Sequence, residues 1–505
     1  MLSARAMDLL LATSVFHPSP GPSSWGTAGG EIAHAALGLA KGLRAQGHRV
    51  TLVAPLAESS GLVDAGLGLA RRLSPVSFTF AGKQHERRVF DARLPSGVEV
   101  SLLGGDAPQD ATDEATAVER WMGFAHATAA LALARLGSAR EGEADLAGVV
   151  AIGELAAPVM LALREDAKLP GREGAPSPRL LAGLARLWAP MQPRQDVLAP
   201  HAALGRLGID PSLFSPEGVE FYGQISLSKC GAIAADRVLT FGEASLASLV
   251  APGASHRLDG VFRARGADLV ECGAGIDGAQ FNPATDPHLA SRFDVADPNG
   301  KVLCRSAVVT ELELDRQAGL PVLVWMPSLA ECEVATGAAS ALARAARGEL
   351  LVIAALPAAA ESSAVATLLQ RAQAAHPGRI VCKTGLAERG LHRLLGGADF
   401  VLSLDADGAT GVTVRAAQRY GALPVAFASP GALDAIVDAP SSLETGTGFL
   451  FAGLDEHAVY GGIARAISAF QLPGFASLRR RVMRKPHGWE RASHRIASIV
   501  TQLQA

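Results

Sequence analysis

The sequence predicts an α/β protein built from two doubly wound domains, and three observations point there. Residues 8–54 read strand, glycine-rich turn, helix, strand; this is a βαβ unit, which requires a parallel sheet covered by helices. Residues 321–470 return to the same alternation and sustain it. The 505 residues, 49% apolar and 19% charged, suffice for two or three cores. The expected architecture is two Rossmann-like halves facing a central cleft.

The first strand is expected at Asp8–Ser14, followed by Gly26-Thr27-Ala28-Gly29-Gly30. Ile32, Ala36, Leu39 and Leu43 then recur at helical spacing and form one apolar stripe. Gly47 stands where a helix C-cap belongs, and Arg49–Ala54 reads as the second strand. A hairpin follows, Val89–Leu94 and Val98–Leu103, about a Pro95-Ser96-Gly97 turn. Residues 115–138 read as a helix, 147–152 as a buried strand and 155–165 as a helix. The Pro- and Arg-rich stretch 166–200 reads as an extended surface segment, and 284–300 as a hinge.

Beyond the hinge, strands are expected at 321–326, 350–355, 379–382, 399–404, 423–427 and 448–451. Amphipathic helices fall between them at 336–347, 362–375, 388–395, 411–420 and 455–470. Ligands of such sheets bind beyond the carboxyl ends of the strands.

Charge narrows the functional classes. Forty-six basic residues against 49 acidic ones give a net charge of −3, which argues against a general nucleic-acid binder. Cys230, Cys272, Cys304, Cys332 and Cys382 are isolated and odd in number, as expected of a reducing cytoplasm without a disulfide framework. The uncharged stretch from Leu9 to Gly30 is broken by Pro18, Pro20 and Pro22, so no spanning helix is expected there. A signal peptide at 1–16 is the rival reading, weakened by Asp8 and a short apolar run.

Longer words carry a family resemblance. Phe214–Ile225, Ala235–Thr240, Leu258-Asp259-Gly260-Val261-Phe262, Gly275-Ile276-Asp277, Asn282-Pro283-Ala284-Thr285-Asp286, Arg419–Val425 and Gly446–Phe449 resemble segments of bacterial glycogen synthases and plant starch synthases. Gly29-Gly30 and Gly47-His48-Arg49-Val50 fit the same pattern; residues 55–200 fit it least. The resemblance implies a GT-B fold: a first domain at 1–290, a second at 301–472, and helices at 473–505 that cross back, with Trp489 and Ala492 matching a Trp-x-x-Ala word. It also implies the family reaction, retaining glucosyl transfer from ADP-glucose (or UDP-glucose) to an α-1,4-glucan, with no cofactor and no metal.

That chemistry needs cations at the departing diphosphate, because negative charge accumulates there as the glycosidic bond breaks. The family's arginine position holds Ser328 and its lysine position holds Glu333. A charge pair at ~4 Å and an effective dielectric of ~20 is worth about 4 kcal/mol, so this exchange opposes diphosphate binding. The family's glutamate beside the donor glucose is Gly408, with Asp407 one residue away. Thr410, Gly411, Val412 and Thr413 keep a helix start whose amides face the ligand in the family. The lysine before the first-domain glycine pair is absent, since no lysine occurs between Met1 and Ala40.

Scaffold words persist while chemistry words are replaced. The expected protein is therefore a catalytically impaired pseudo-glycosyltransferase; the alternative is an active synthase with a rebuilt donor site. Gly29, Gly30, Asp277 and Thr410–Thr413 are the expected substrate-binding residues, and Ser328, Glu333 and Gly408 the degenerate catalytic positions. Expected partners are an α-glucan, a nucleotide sugar such as ADP-glucose, or an active synthase, with no nucleic acid and no membrane. Arg305 and Lys383 are conceivable substitute cations, and Asp405 with Asp407 a weak metal candidate. His34 is expected to be a structural histidine, and the run Arg479-Arg480-Arg481, Arg484, Lys485 an exposed helical face.

Overall fold

A computed structural model describes residues 6–18, 28–57, 67–136, 145–166, 184–189, 198–316, 319–348, 350–406 and 408–504. The chain divides into two compact units. The first comprises Met1–Pro18, Ile32–Ala274 and Trp489–Ala505; the second comprises Ser19–Glu31 and Gly275–Gly488.

The first unit is organised by one large twisted sheet. Its centre runs, in spatial order, Ala185–Ala189, Leu146–Ile152, Asp8–Thr13, Arg49–Pro55 and Glu99–Gly104, all parallel. Leu9, Leu10 and Leu11 are fully buried, as a strand covered on both faces requires. Strand Lys83–Arg93 pairs antiparallel with Glu99–Gly104, which is the hairpin read from the sequence, and itself carries Val76–Phe80 on its other side. Gly47 ends the first helix in the left-handed region (φ 89°), where its amide bonds the Arg44 carbonyl at 3.0 Å. The last helix, Glu490–Gln504, packs on this sheet, and Trp489 before it fills the space that the absent side chain of Gly38 leaves.

One expectation needs correction here. Within 166–200, the described residues Ala185–Ala189 form a strand inside the sheet, paired with Leu146–Ile152 and Arg237–Thr240. Pro and Arg around it mask a five-residue apolar alternation whose Leu187 and Ala189 are buried. Residues 167–183 and 190–197 lie outside the described set.

The second unit has a six-stranded parallel sheet in the order Ile380–Thr384, Leu351–Leu356, Val322–Trp325, Phe400–Ser403, Leu423–Phe427, Phe449–Phe451. Each strand falls within two residues of its expected span. Helices Thr336–Ala345, Ala364–Ala375, Glu388–Gly397, Val412–Arg419 and Glu456–Phe470 likewise match their periodicity. Beneath them lies a buried polar knot. Asp286 accepts the Tyr420 hydroxyl at 2.5 Å and meets His392 Nδ1 at 2.8 Å, while the Phe281 ring stacks on His392 at 5.2 Å.

The basic run near the C-terminus also departs from expectation. Arg480 and Arg484 are exposed, but Arg479 pairs with Asp399 at 2.6 Å. Arg481 donates to the carbonyls of Leu443, Glu444 and Gly446, and Lys485 to that of Ala435 at 2.7 Å. Long cationic stems on an amphipathic helix can reach loop carbonyls while their neighbours stay solvated.

Candidate functional site

Two adjacent parallel strands of the second unit, Val322–Trp325 and Phe400–Ser403, deliver the positions that matter. At the carboxyl end of the first, Ser328 caps helix Leu329–Val334. Its hydroxyl accepts the Glu331 amide at 3.2 Å and its own amide donates to the Glu331 carboxylate at 2.7 Å, a complete capping box. Ser328 is buried and its hydroxyl is committed to the cap. Glu333 is exposed on the same short helix. Burial pushes the Glu331 carboxyl above its usual range, opposed by its bonds to Ser328 and to the Leu404 amide.

The loop after strand Phe400–Ser403, 404–411, leads into helix Val412–Arg419. Gly411 begins it in the left-handed region (φ 61°), and a side chain there would meet the Gly431 carbonyl at 2.5 Å. The first amides of the helix have no acceptor within it. Gly408 is buried, and a side chain on it would collide with the Asp405 carboxylate. Asp407 lies outside the described residues. Thr410 and Val412 are buried, and Thr413 is half-buried.

An acid reaches this loop from far away in sequence. Glu31, grouped with the second unit, accepts the Thr410 hydroxyl at 2.7 Å and the Ala409 amide at 3.2 Å. Glu31 is 5% exposed and Thr410 fully buried, so both oxygens work in a largely water-free setting. Donors aimed at an anion are thus present, and the anion they hold is the chain's own carboxylate. Sequence reading did not single out Glu31; its only signal was an acid where the family's glycine-pair loop has leucine.

The remaining candidates are dispersed. Gly29 and Gly30 lie in the first turn of helix Ala28–Ala45, Gly30 buried. Asp277 accepts the Ala279 amide at 2.9 Å and closes a turn. Arg305 is spent on Asp399 (3.1 Å) and the Leu320 carbonyl, and Lys383 is exposed at an edge strand. His34 is buried in the first unit, 6.1 Å from the Trp489 ring. Among the described residues no cluster of three or more His, Cys, Asp or Glu could hold a metal ion. All five cysteines are free, and burial pushes Cys230, Cys272 and Cys332 up to about 12, which leaves them unreactive.

Comparison with known proteins sets this geometry in context. The chain is 33% identical over 311 residues to a protein named glycogen synthase from Bordetella parapertussis, covering 60% of this chain and 61% of the relative. It is 30% identical over 321 residues to glycogen synthase from Acidiphilium cryptum, covering 60% and 64%. The chain thus spans less than two thirds of the length of these curated relatives. The catalytic domain of starch synthase IV from Arabidopsis thaliana, bound to ADP and acarbose, superposes with a TM-score of 0.78 at 17% identity, covering 99% of both chains. Sucrose-phosphate synthase from Thermosynechococcus elongatus gives 0.58 at 13%, covering 98% and 99%. No family model matches the chain. The fold is GT-B, and over about 60% of its length the chain is similar in sequence to proteins named glycogen synthase. Among the described residues no helix is long and apolar enough to cross a membrane.

Proposed function

We propose that this chain is a glycogen/starch synthase-like protein impaired in glucosyl transfer, which acts in glucan metabolism by binding an α-glucan or an active synthase. The observation that carries the proposal is the Glu31 carboxylate on Ala409 and Thr410. In the enzymes it resembles, the amides of this helix start face the donor. Here a buried carboxylate holds the loop just before that start, and like charge there opposes a diphosphate. The two family cations are missing as well: Ser328 is locked in a helix cap and Glu333 is an acid. A developing negative charge would find repulsion where catalysis requires attraction.

An active transferase with a rebuilt donor site is the second reading, and Asp405 favours it. Its carboxylate lies against Gly408, the position of the family's glutamate. Such an enzyme would use a nucleotide sugar such as ADP-glucose and a glucan acceptor. Calorimetry on the purified protein separates the readings. Binding of maltooligosaccharide without binding of ADP supports the impaired protein; micromolar ADP binding supports the transferase.

A further inference from the structure

The first unit contains a cavity whose lining shares no residue with the candidate positions described above. It measures about 340 Å³ and lies beside Gly104 and Gly105, at the carboxyl end of strand Glu99–Gly104. Ligands of doubly wound sheets bind beyond such ends. Among the described residues its walls carry Arg71, Arg72, Arg87 and Arg88 against Glu86 and Asp106.

These arginines differ in how they are satisfied. Arg72 is held by Asp91 through two bonds of 2.9 Å, and Arg71 and Arg88 are exposed and solvated. Arg87 is the unbalanced one. Its side chain is 14% exposed, yet the one carboxylate that pairs with it among the described residues, Asp106, is 4.0 Å away and 78% exposed. No hydrogen bond joins its guanidinium to another described residue. Burial pulls its pKa down, Asp106 opposes this weakly, and the nearby Arg120 adds to the depression. A largely buried cation with a distant, solvated counter-charge is stabilised by any anion that reaches it.

The backbone keeps that approach open. Gly105 has φ 99°, and a side chain there would come within 3.1 Å of Arg87 Nη1. Among its described lining residues the one aromatic ring is His85, which is stacked on Phe78, and the walls present guanidinium forks that fit oxyanions.

We propose that this cavity binds a small phosphate-bearing anion, either free phosphate or a sugar phosphomonoester, with Arg87 as its principal contact and Arg71, Arg72 and Arg88 around it. The volume admits a molecule of hexose-phosphate size. The site belongs to the first unit and does not depend on the reading of the second.

Isothermal titration of the full chain with inorganic phosphate and with glucose 6-phosphate tests this, with maltotriose as the uncharged probe. Saturable binding of either anion is expected, weakened at least about tenfold by Arg87→Gln and measurably by Arg71→Gln. Tighter binding of glucose 6-phosphate identifies a sugar phosphate; equal binding identifies phosphate itself. Arg71 is exposed, so its variant keeps the test valid even if Arg87→Gln misfolds. Absence of binding by both anions overturns the proposal. So does unchanged affinity in both variants, or equal affinity for maltotriose.

Discussion

The carboxylate of Glu31 accepts the Thr410 hydroxyl at 2.7 Å, and 379 positions of sequence separate the two residues. If that carboxylate holds the loop closed to a diphosphate, neutralising it should open the loop. Glu31→Gln keeps the size and removes the charge. The expected result is ADP affinity at least about fivefold higher by calorimetry, roughly 1 kcal/mol of repulsion removed. An unchanged affinity would separate Glu31 from the donor site.

Ser328 and Glu333 make a second test. Ser328→Ala breaks the capping box and should cost about 1 kcal/mol in chemical denaturation, whereas Glu333→Lys, exposed, should be nearly neutral. The double variant Ser328→Arg with Glu333→Lys should bind ADP at least about tenfold more tightly than the parent. If a double variant that remains folded binds ADP no more tightly, the register that equates these positions with the family's cations is wrong.

The Tyr420–Asp286–His392 knot carries stability rather than chemistry. All three side chains are at most 3% exposed, so removal of one hydroxyl leaves a buried carboxylate short of a donor. Tyr420→Phe should lower unfolding free energy by about 1–3 kcal/mol. A loss below ~0.5 kcal/mol would show that the bond is dispensable.

His487 sets a pH dependence. Burial, reinforced by Lys485, Arg415 and Arg419, pulls its pKa down to about 4 in the folded chain, against the bond to the Val482 carbonyl. Between pH 6.5 and 4 the unfolded chain binds a proton that the folded chain refuses. Stability from this group is therefore full above pH 6.5 and declines toward pH 4, by at most about 1.4 kcal/mol per pH unit. His487→Gln should flatten that part of the profile; an equally steep profile in the variant would assign it to other groups.

Much of the fold was legible because local signals agreed with one another. The second unit's strands and helices each announce their own period, and Gly47 and Gly411 mark the turns that only glycine makes easily. Ala185–Ala189 was not legible: five residues are too few to assert a period against flanking Pro and Arg. The replaced charges at Ser328, Glu333 and Gly408 could be read by position. That Ser328 is consumed by a cap, that Asp405 fills the space beside Gly408, and that Glu31 reaches Thr410 are consequences of tertiary packing. No periodicity records which distant carboxylate will meet a loop.

The most direct measurement is ADP release from ADP-glucose in the presence of a glycogen primer, alongside an authentic glycogen synthase at equal concentration. The arrangement of Glu31, Ser328 and Glu333 predicts release at no more than about a thousandth of the authentic rate. Release at a comparable rate would contradict an impaired donor site and leave the rebuilt-site transferase in its place.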